Sequence, residues 1–278
     1  MGQCLALNSV GVRFGGRAAL DGVTLSVAPG EKLAVIGASG AGKSTLFRAL
    51  TRSVALHSGS ANLGGRDLYA LSGRELGAIR RGVGTIYQAY NLVPELSAGM
   101  NVALGEVGGM GKLATLRTLL LGPGGDLSRR VEGALEQMGL GDRVRARTAD
   151  LSGGQQQRVA VARLLVQRPG LILADEPFAA VDPVTAERVM EALLELNHGG
   201  ATLLVNLHDV AIARTFPRIV ALREGRVAFD GGPEDLTDGL LAKVYEGDEG
   251  RVEPEEEQGP RLREPMRVAE GRDGVSAH

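Results

Sequence analysis

The stretch "KLAVIGASGAGKST" at residues 32–45 sets the tightest limit on what this chain can fold into. An apolar run ending at Gly37 has the length of a buried strand, and the residues from Gly42 to Arg52 carry a helical pattern. Between them the chain turns through glycines at 37, 40 and 42, which reach backbone conformations closed to other residues. A G-x-x-x-x-G-K-[ST] loop between strand and helix is a phosphate cradle: Gly37, Ala38, Ser39, Gly40, Ala41, Gly42, Lys43, Ser44 and Thr45 would turn successive amides toward phosphate oxygens at a helix N-terminus. Lys43 would reach the β- and γ-phosphates of a nucleotide such as ATP, and Ser44 would ligate Mg²⁺. The plain alternative is a glycine-rich turn beside a surface lysine; the flanking strand and helix speak against it.

Three more short apolar runs read as strands: "GTIYQ" (84–88), "LILAD" (171–175) and "TLLVNL" (202–207). Uninterrupted runs of this kind suit parallel strands covered on both faces. Helical patterns lie between them at Gln155–Gln167 and Thr185–Asn197, the second opened by Asp182-Pro183. Strand and helix in alternation predict an α/β fold with a parallel sheet. "IVALR" and "RVAFD", joined through Glu224-Gly225, read as a hairpin. The organisation expected is a nucleotide-binding core over 1–88 and 160–245 and a helical subdomain over 89–159. Residues 246–278, charged and poor in large apolar side chains, are expected to form a disordered tail.

Ligands in open α/β sheets bind at the carboxyl ends of the strands, and "LILADE" brings two acids there. Asp175 would hold Mg²⁺ through water, and Glu176 would polarise an attacking water. Either acid alone would also serve as a cap for the following turn. His208, after "TLLVNL", would emerge at the same edge to meet the γ-phosphate and that water; a satisfied core or cap histidine is the competing reading. Gln88 occupies an equivalent position after "GTIY", where its amide oxygen would complete the metal sphere, a weak signal when taken alone.

"LSGGQQQRVA" at 151–160 is a second candidate anion loop, surplus to a single triphosphate already cradled at 37–45. Two copies meeting head to tail about a two-fold axis would give it a role. Ser152, Gly153, Gly154 and Gln155 of each would close over the γ-phosphate held by the other.

Charge and composition narrow the partners. A formal net charge of −2 gives no general attraction to nucleic acid, and none is expected as a partner. The N-terminus lacks the pattern of a secretion signal, and no apolar run reaches the length of a membrane span, so work at a membrane needs another chain to cross it. The single Cys4 cannot form an intramolecular disulfide and is expected to be a buried, inert thiol.

Taken in order, "GASGAGKST", "YQ" at 87–88, "LSGGQQQRVA", "LILADEP", "AAVDP" and "NLHD" resemble the ATP-binding subunits of ATP-binding cassette (ABC) transporters over about residues 4–245. The resemblance implies a P-loop (RecA-like) parallel-sheet ATPase core with an N-terminal antiparallel β part and an inserted α-helical subdomain. It implies an ATP-dependent homodimer, Mg²⁺, and hydrolysis of ATP to ADP and phosphate. By the same resemblance Asp182 carries communication across the dimer and Phe14 stacks on adenine, although an aromatic at that position would equally serve the core. "ILADEPFAAVDP", "LHDVAIARTFPRIVALREGRVAFDG" and the glycine-rich insertion after "NVALG" are similar to the subunit that powers phosphonate importers, a group with phosphite and phosphate relatives. That similarity implies two transmembrane permease subunits, an extracytoplasmic substrate-binding protein, and a peripheral place on the cytoplasmic face of the inner membrane. Ala180 stands where relatives often have Ser. An importer or exporter for an unrelated cargo, or a non-transport ABC ATPase, is the alternative.

Overall fold

The computed structural model describes residues 2–87, 90–178 and 181–246. In chain order the strands and helices are β1 (Leu5–Phe14), β2 (Arg17–Val27), β3 (Lys32–Ile36), α1 (Lys43–Leu50), β4 (Ser58–Leu63), β5 (Arg66–Asp67), α2 (Gly73–Arg81), β6 (Val83–Ile86), α3 (Ala98–Val107), α4 (Lys112–Leu121) and α5 (Gly125–Gln137). They continue as α6 (Gly153–Gln167), β7 (Leu171–Asp175), α7 (Pro183–His198), β8 (Thr202–Asn206), the single turn α8 (Val210–Ala213), β9 (Ile219–Arg223), β10 (Arg226–Gly231) and α9 (Asp238–Tyr245). The expected strands and helices are therefore present, with ends shifted by a few residues: the first helix begins at Lys43, the "LSGGQ" helix at Gly153, and the strand expected over 84–88 runs from Val83 to Ile86.

Two sheets form the scaffold. One is antiparallel in the order β2-β1-β4-β5; the other is six-stranded in the order β10-β9-β3-β8-β7-β6, with β9, β3, β8, β7 and β6 parallel and the expected hairpin β9–β10 at its edge. The fold is thus a P-loop α/β core with an N-terminal antiparallel part.

The period of two along the central strands explains why they read as unbroken apolar runs. Leu33 and Val35 of β3, Leu171 and Leu173 of β7 and Leu204 of β8 pack with Leu46 and Phe47 of α1 and with Leu5, Leu7 and Leu25 of the antiparallel sheet. The alternate residues Ala34, Ile36, Ile172, Ala174, Leu203 and Val205 enter a second core with Val102 of α3, Leu135 of α5, Val159 and Leu164 of α6 and Leu193 of α7. Each large aliphatic so buried contributes roughly 1.5–3 kcal/mol. One sheet therefore holds two layers together, and its strands cannot afford a polar face.

α6 runs unbroken through 159/160, where the sequence divides helical subdomain from sheet core, and its Val161 and Leu164 share the second core with both. α7 opens as its sequence demands: the Asp182 side chain accepts the Thr185 N–H and Pro183 occupies the first turn. Cys4 corrects an expectation, because it is exposed. Leu5 and Leu7 point into the core, so strand alternation turns position 4 outward. Among the described residues no helix is long and apolar enough to cross a membrane.

Candidate functional site

The 37–45 loop leaves the carboxyl end of β3 and is clamped from behind. The Gly225 N–H, in the β9–β10 turn, donates to the Ala41 carbonyl at 2.9 Å, and the Asp21 N–H donates to the Gly225 carbonyl at 2.8 Å. Gly42 caps α1 at φ +107°, and a Cβ there would lie 2.6 Å from the Ala19 carbonyl oxygen and 2.9 Å from Leu20 Cδ2. At Gly37, φ +148°, a Cβ would lie 2.3 Å from the Leu222 carbonyl oxygen. Backbone packing on both sides therefore demands glycine at each position. Lys43 is buried, and its ammonium donates to the Gly37 and Ala38 carbonyls at 2.7 and 3.1 Å, across the interior of the loop.

Behind the loop, Asp175 ends β7 directly opposite Asn206 of β8. Asp175 is buried, which pushes its carboxyl above the ordinary carboxylate value; hydrogen bonds from Asn206 and Ser44 and the Lys43 charge oppose this, while Glu176 adds to it. The next residue leaves the strand in the left-handed region, Glu176 having φ +51°. Its N–H donates to the Asn206 carbonyl at 3.2 Å, and the following Pro177 carbonyl accepts from Gln157 of α6. So held, Glu176 Oε1 lies 2.5 Å from Nε2 of the half-exposed His208, which follows β8. The structure thus gathers Lys43, Ser44, Asp175, Glu176 and His208 at the carboxyl ends of β3, β7 and β8.

Asn206 and Gln157 were missed in the sequence. The polar residue inside the otherwise apolar "TLLVNL" was the available signal for Asn206. Gln157, one of three successive glutamines, had none of its own.

The "LSGGQ" segment stands apart. Ser152 caps α6: its hydroxyl accepts the Gln155 N–H at 3.3 Å, while the Gln155 side chain accepts the Ser152 N–H at 2.9 Å. A Cβ on Gly153 would meet Tyr90 Oη at 3.4 Å and one on Gly154 Val181 Cγ1 at 3.6 Å; nothing of the 37–45 loop lies within 4 Å of either. The N-terminus of α6 at Gly153 and Gly154 therefore lies away from the chain's own cradle. Farther along α6, Arg158 donates to Thr185 Oγ1 at 2.8 Å, and the Thr185 hydroxyl and amide hold the Asp182 carboxyl below its ordinary value. The helix bearing Ser152 is in this way tied to the cap bearing Asp182.

Phe14 ends β1, half exposed. A cleft of about 190 Å³ beside the loop is lined by Ser39 and Gly40 of the expected cradle, by Glu224 of the hairpin turn, and by Arg17, Ala18 and Arg223, which the sequence did not single out. Gln88 and Ala180 lie outside the described residues, as does the tail from 247 to 278.

A glycine-clamped cradle at a helix N-terminus, with two successive acids at the adjoining strand ends, defines a P-loop nucleotide-binding protein. The chain belongs to the ABC transporter family, whose model matches residues 20–179. It is 42% identical over 245 residues to "Phosphonates import ATP-binding protein PhnC 2" of Rhodopseudomonas palustris (strain BisB18), covering 87% of this chain and 89% of the relative. Against "Phosphonates import ATP-binding protein PhnC" of Bradyrhizobium diazoefficiens the identity is 42% over 244 residues, 87% of this chain and 90% of the relative. Among solved structures, a dimeric ATP-binding cassette in a post-hydrolysis state bound to ADP and Pi superposes with a TM-score of 0.71 at 32% identity, covering 82% of this chain and 98% of that one. A bacterial Atm1-family ABC exporter with ATP bound gives 0.72 at 26% identity, over 87% of this chain and 41% of that one. The chain is accordingly a nucleotide-binding ATPase coupled to transport.

Proposed function

We propose that the chain is the ATP-hydrolysing subunit of a phosphonate importer, with phosphite or phosphate as the neighbouring cargo chemistries. The cargo reading is supported by relatives named for phosphonate import that match nearly the whole chain. The hydrolytic reading is carried by one observation, the Glu176–His208 pair held at the strand ends beside Lys43 and Asp175.

In this reading ATP lies on the Gly37–Thr45 loop, Lys43 exchanges its carbonyl partners for the β- and γ-phosphates, and Phe14 stacks on adenine. The residues fit a divalent cation: a buried carboxylate whose charged form is disfavoured by burial lies against the Ser44 hydroxyl. Mg²⁺ would be held by Ser44, Asp175 and Gln88 together with the nucleotide, and would supply charge neutralisation at the phosphates. Glu176 orients and polarises the attacking water, while His208 fixes that carboxylate and meets the γ-phosphate.

A second copy supplies Ser152, Gly153, Gly154 and Gln155 to each γ-phosphate, which gives the N-terminus of α6, set away from its own chain's cradle, an anion to meet. Asp182, tied to α6 through Thr185 and Arg158, reports one site's state to the other. The dimer would drive two permease subunits, with the segment Tyr90–Leu96 as docking surface, on the cytoplasmic face of the inner membrane. An extracytoplasmic binding protein would select the cargo.

The test is twofold. Glu176→Gln is expected to retain ATP binding and lose hydrolysis by roughly 10²-fold or more; hydrolysis at the wild-type rate would remove Glu176 from the chemistry. Deletion of the gene is expected to abolish growth on 2-aminoethylphosphonate as sole phosphorus source, restored by wild type and not by Glu176→Gln. Unchanged growth on phosphonate, phosphite and phosphate in a host with no second system would overturn the cargo.

A further inference from the structure

α4 is a helix turned inside out. Leu113, Leu116 and Leu120 are 82%, 54% and 73% exposed, Leu119 and Leu121 are also exposed, and the one buried residue is Thr118. With about 100° between successive residues, Leu113, Leu116 and Leu120 form a single row along the helix. Lys112 falls on one side of that row and Arg117 on the other. From 107 to 125 the chain carries no acid, and the acids at either end, Glu106 and Asp126, are both paired with Arg130. No ion pair among the described residues engages Lys112 or Arg117.

We propose that α4 lies on the bilayer surface, its leucine row among the upper acyl chains and Lys112 and Arg117 reaching lipid phosphates on either side. Charge complementarity selects this occupant. Apolar contact alone would suit any greasy surface, but a cation on each flank and no acid suits a plane of anionic headgroups, where each basic residue adds to binding. Long basic side chains bury their stems beside the leucines while the charge stays at the headgroups. Since the chain as a whole is slightly acidic, the attraction is local and fixes which face meets the membrane. The contact rests on the reading of the chain as a transporter's membrane-associated subunit for its setting, and on α4 itself for its chemistry.

The chain contains no tryptophan, so Leu120→Trp gives a single emission reporter on the row. The full-length protein without any permease is sedimented with vesicles of phosphatidylethanolamine carrying about one-third phosphatidylglycerol, and with vesicles of phosphatidylcholine. Binding to the anionic vesicles is expected, weakened about tenfold or more in Leu116→Glu/Leu120→Glu and in Lys112→Gln/Arg117→Gln, with weaker binding of the wild type to phosphatidylcholine. Leu120→Trp emission is expected to shift to the blue on the anionic vesicles and to be quenched by brominated lipid. ATP turnover in all variants reports on folding. Wild-type vesicle binding in the leucine variant, or Trp emission unchanged by vesicles, with turnover intact, overturns the lipid contact and leaves a protein partner to cover α4. Failure of the wild type to bind and hydrolyse ATP would instead overturn the ATPase reading.

Discussion

Gly42→Ala measures how far the antiparallel sheet dictates the geometry of the phosphate loop. The new Cβ would meet the Ala19 carbonyl oxygen at 2.6 Å, so one of the two must retreat by roughly 0.8 Å to reach ordinary contact. Ala19 is the extra residue where the β1–β2 register shifts, but its neighbours Ala18 and Leu20 are paired with Arg13 and Val12, which limits how far its carbonyl can retreat. Gly225, whose Cα is 3.4 Å away, closes the other side. A non-glycine residue at positive φ costs about 1–2 kcal/mol, and forced close contact adds about 1–3 kcal/mol, giving a total of about 2–5 kcal/mol. At about 2–4 °C per kcal/mol, thermal unfolding should move down by about 4–20 °C. If the loop yields instead of the sheet, its amides and Lys43 shift by a comparable distance, enough to weaken ATP binding by about 10²-fold.

Gly40→Ala is the internal control. Gly40 is also at positive φ, +72°, but no atom lies within 4 Å of its Cβ position, so only the backbone strain of about 1–2 kcal/mol applies. The assays are thermal unfolding of the nucleotide-free protein and equilibrium binding of a fluorescent ATP analogue. Equal losses of stability in the two variants, or a Gly42→Ala protein with wild-type stability, would refute the clamp between Ala19 and Gly225.

Asp175→Asn should stabilise the protein while damaging it. Burial raises the Asp175 carboxyl, so the folded state keeps its proton to higher pH than the unfolded chain does; the cost of charging it appears as pH rises through the folded value and is complete above it. Nucleotide-free Asp175→Asn should therefore melt higher than wild type at about pH 8, by a margin that shrinks toward about pH 4, and should lose Mg²⁺-dependent turnover. A pH-independent margin would remove burial as the cause. Asn101 is fully buried and laces the 93–97 loop to Thr148, accepting the Val93 N–H at 2.8 Å and donating to Thr148 Oγ1 and the Val93 carbonyl at 2.9 Å each. Asn101→Leu, which strands these partners, should cost about 2–4 kcal/mol in denaturant unfolding and speed amide exchange at Val93; unchanged exchange there would show that the loop is held by other means.

Much of this architecture was legible because each central strand carries its own evidence. Leu33 to Ile36, Leu171 to Ala174 and Leu203 to Val205 must be apolar at every position, since alternate residues enter different cores, and such runs stand out in a linear sequence. The cradle was legible for a related reason, because glycines at fixed offsets before Lys43-Ser44 report a backbone path directly. Cys4 was misread because its exposure depends on the strand phase set by its neighbours Leu5 and Leu7, not on the side chain's own preference.

The sequence by itself determined the strand–loop–helix unit, the two acids after "LILA", the hairpin at Glu224-Gly225 and the start of α7, since all of these are written in residues adjacent along the chain. Tertiary structure alone decided that Asn206 faces Asp175, that Gln157 holds the Pro177 carbonyl behind Glu176, that Arg158 reaches Thr185, and that the leucines of α4 are left uncovered. These relations join residues far apart in sequence or depend on which helical face finds a neighbour. Local propensity encodes backbone conformation, whereas a contact of that kind exists only once strand order and packing have fixed where each element lies.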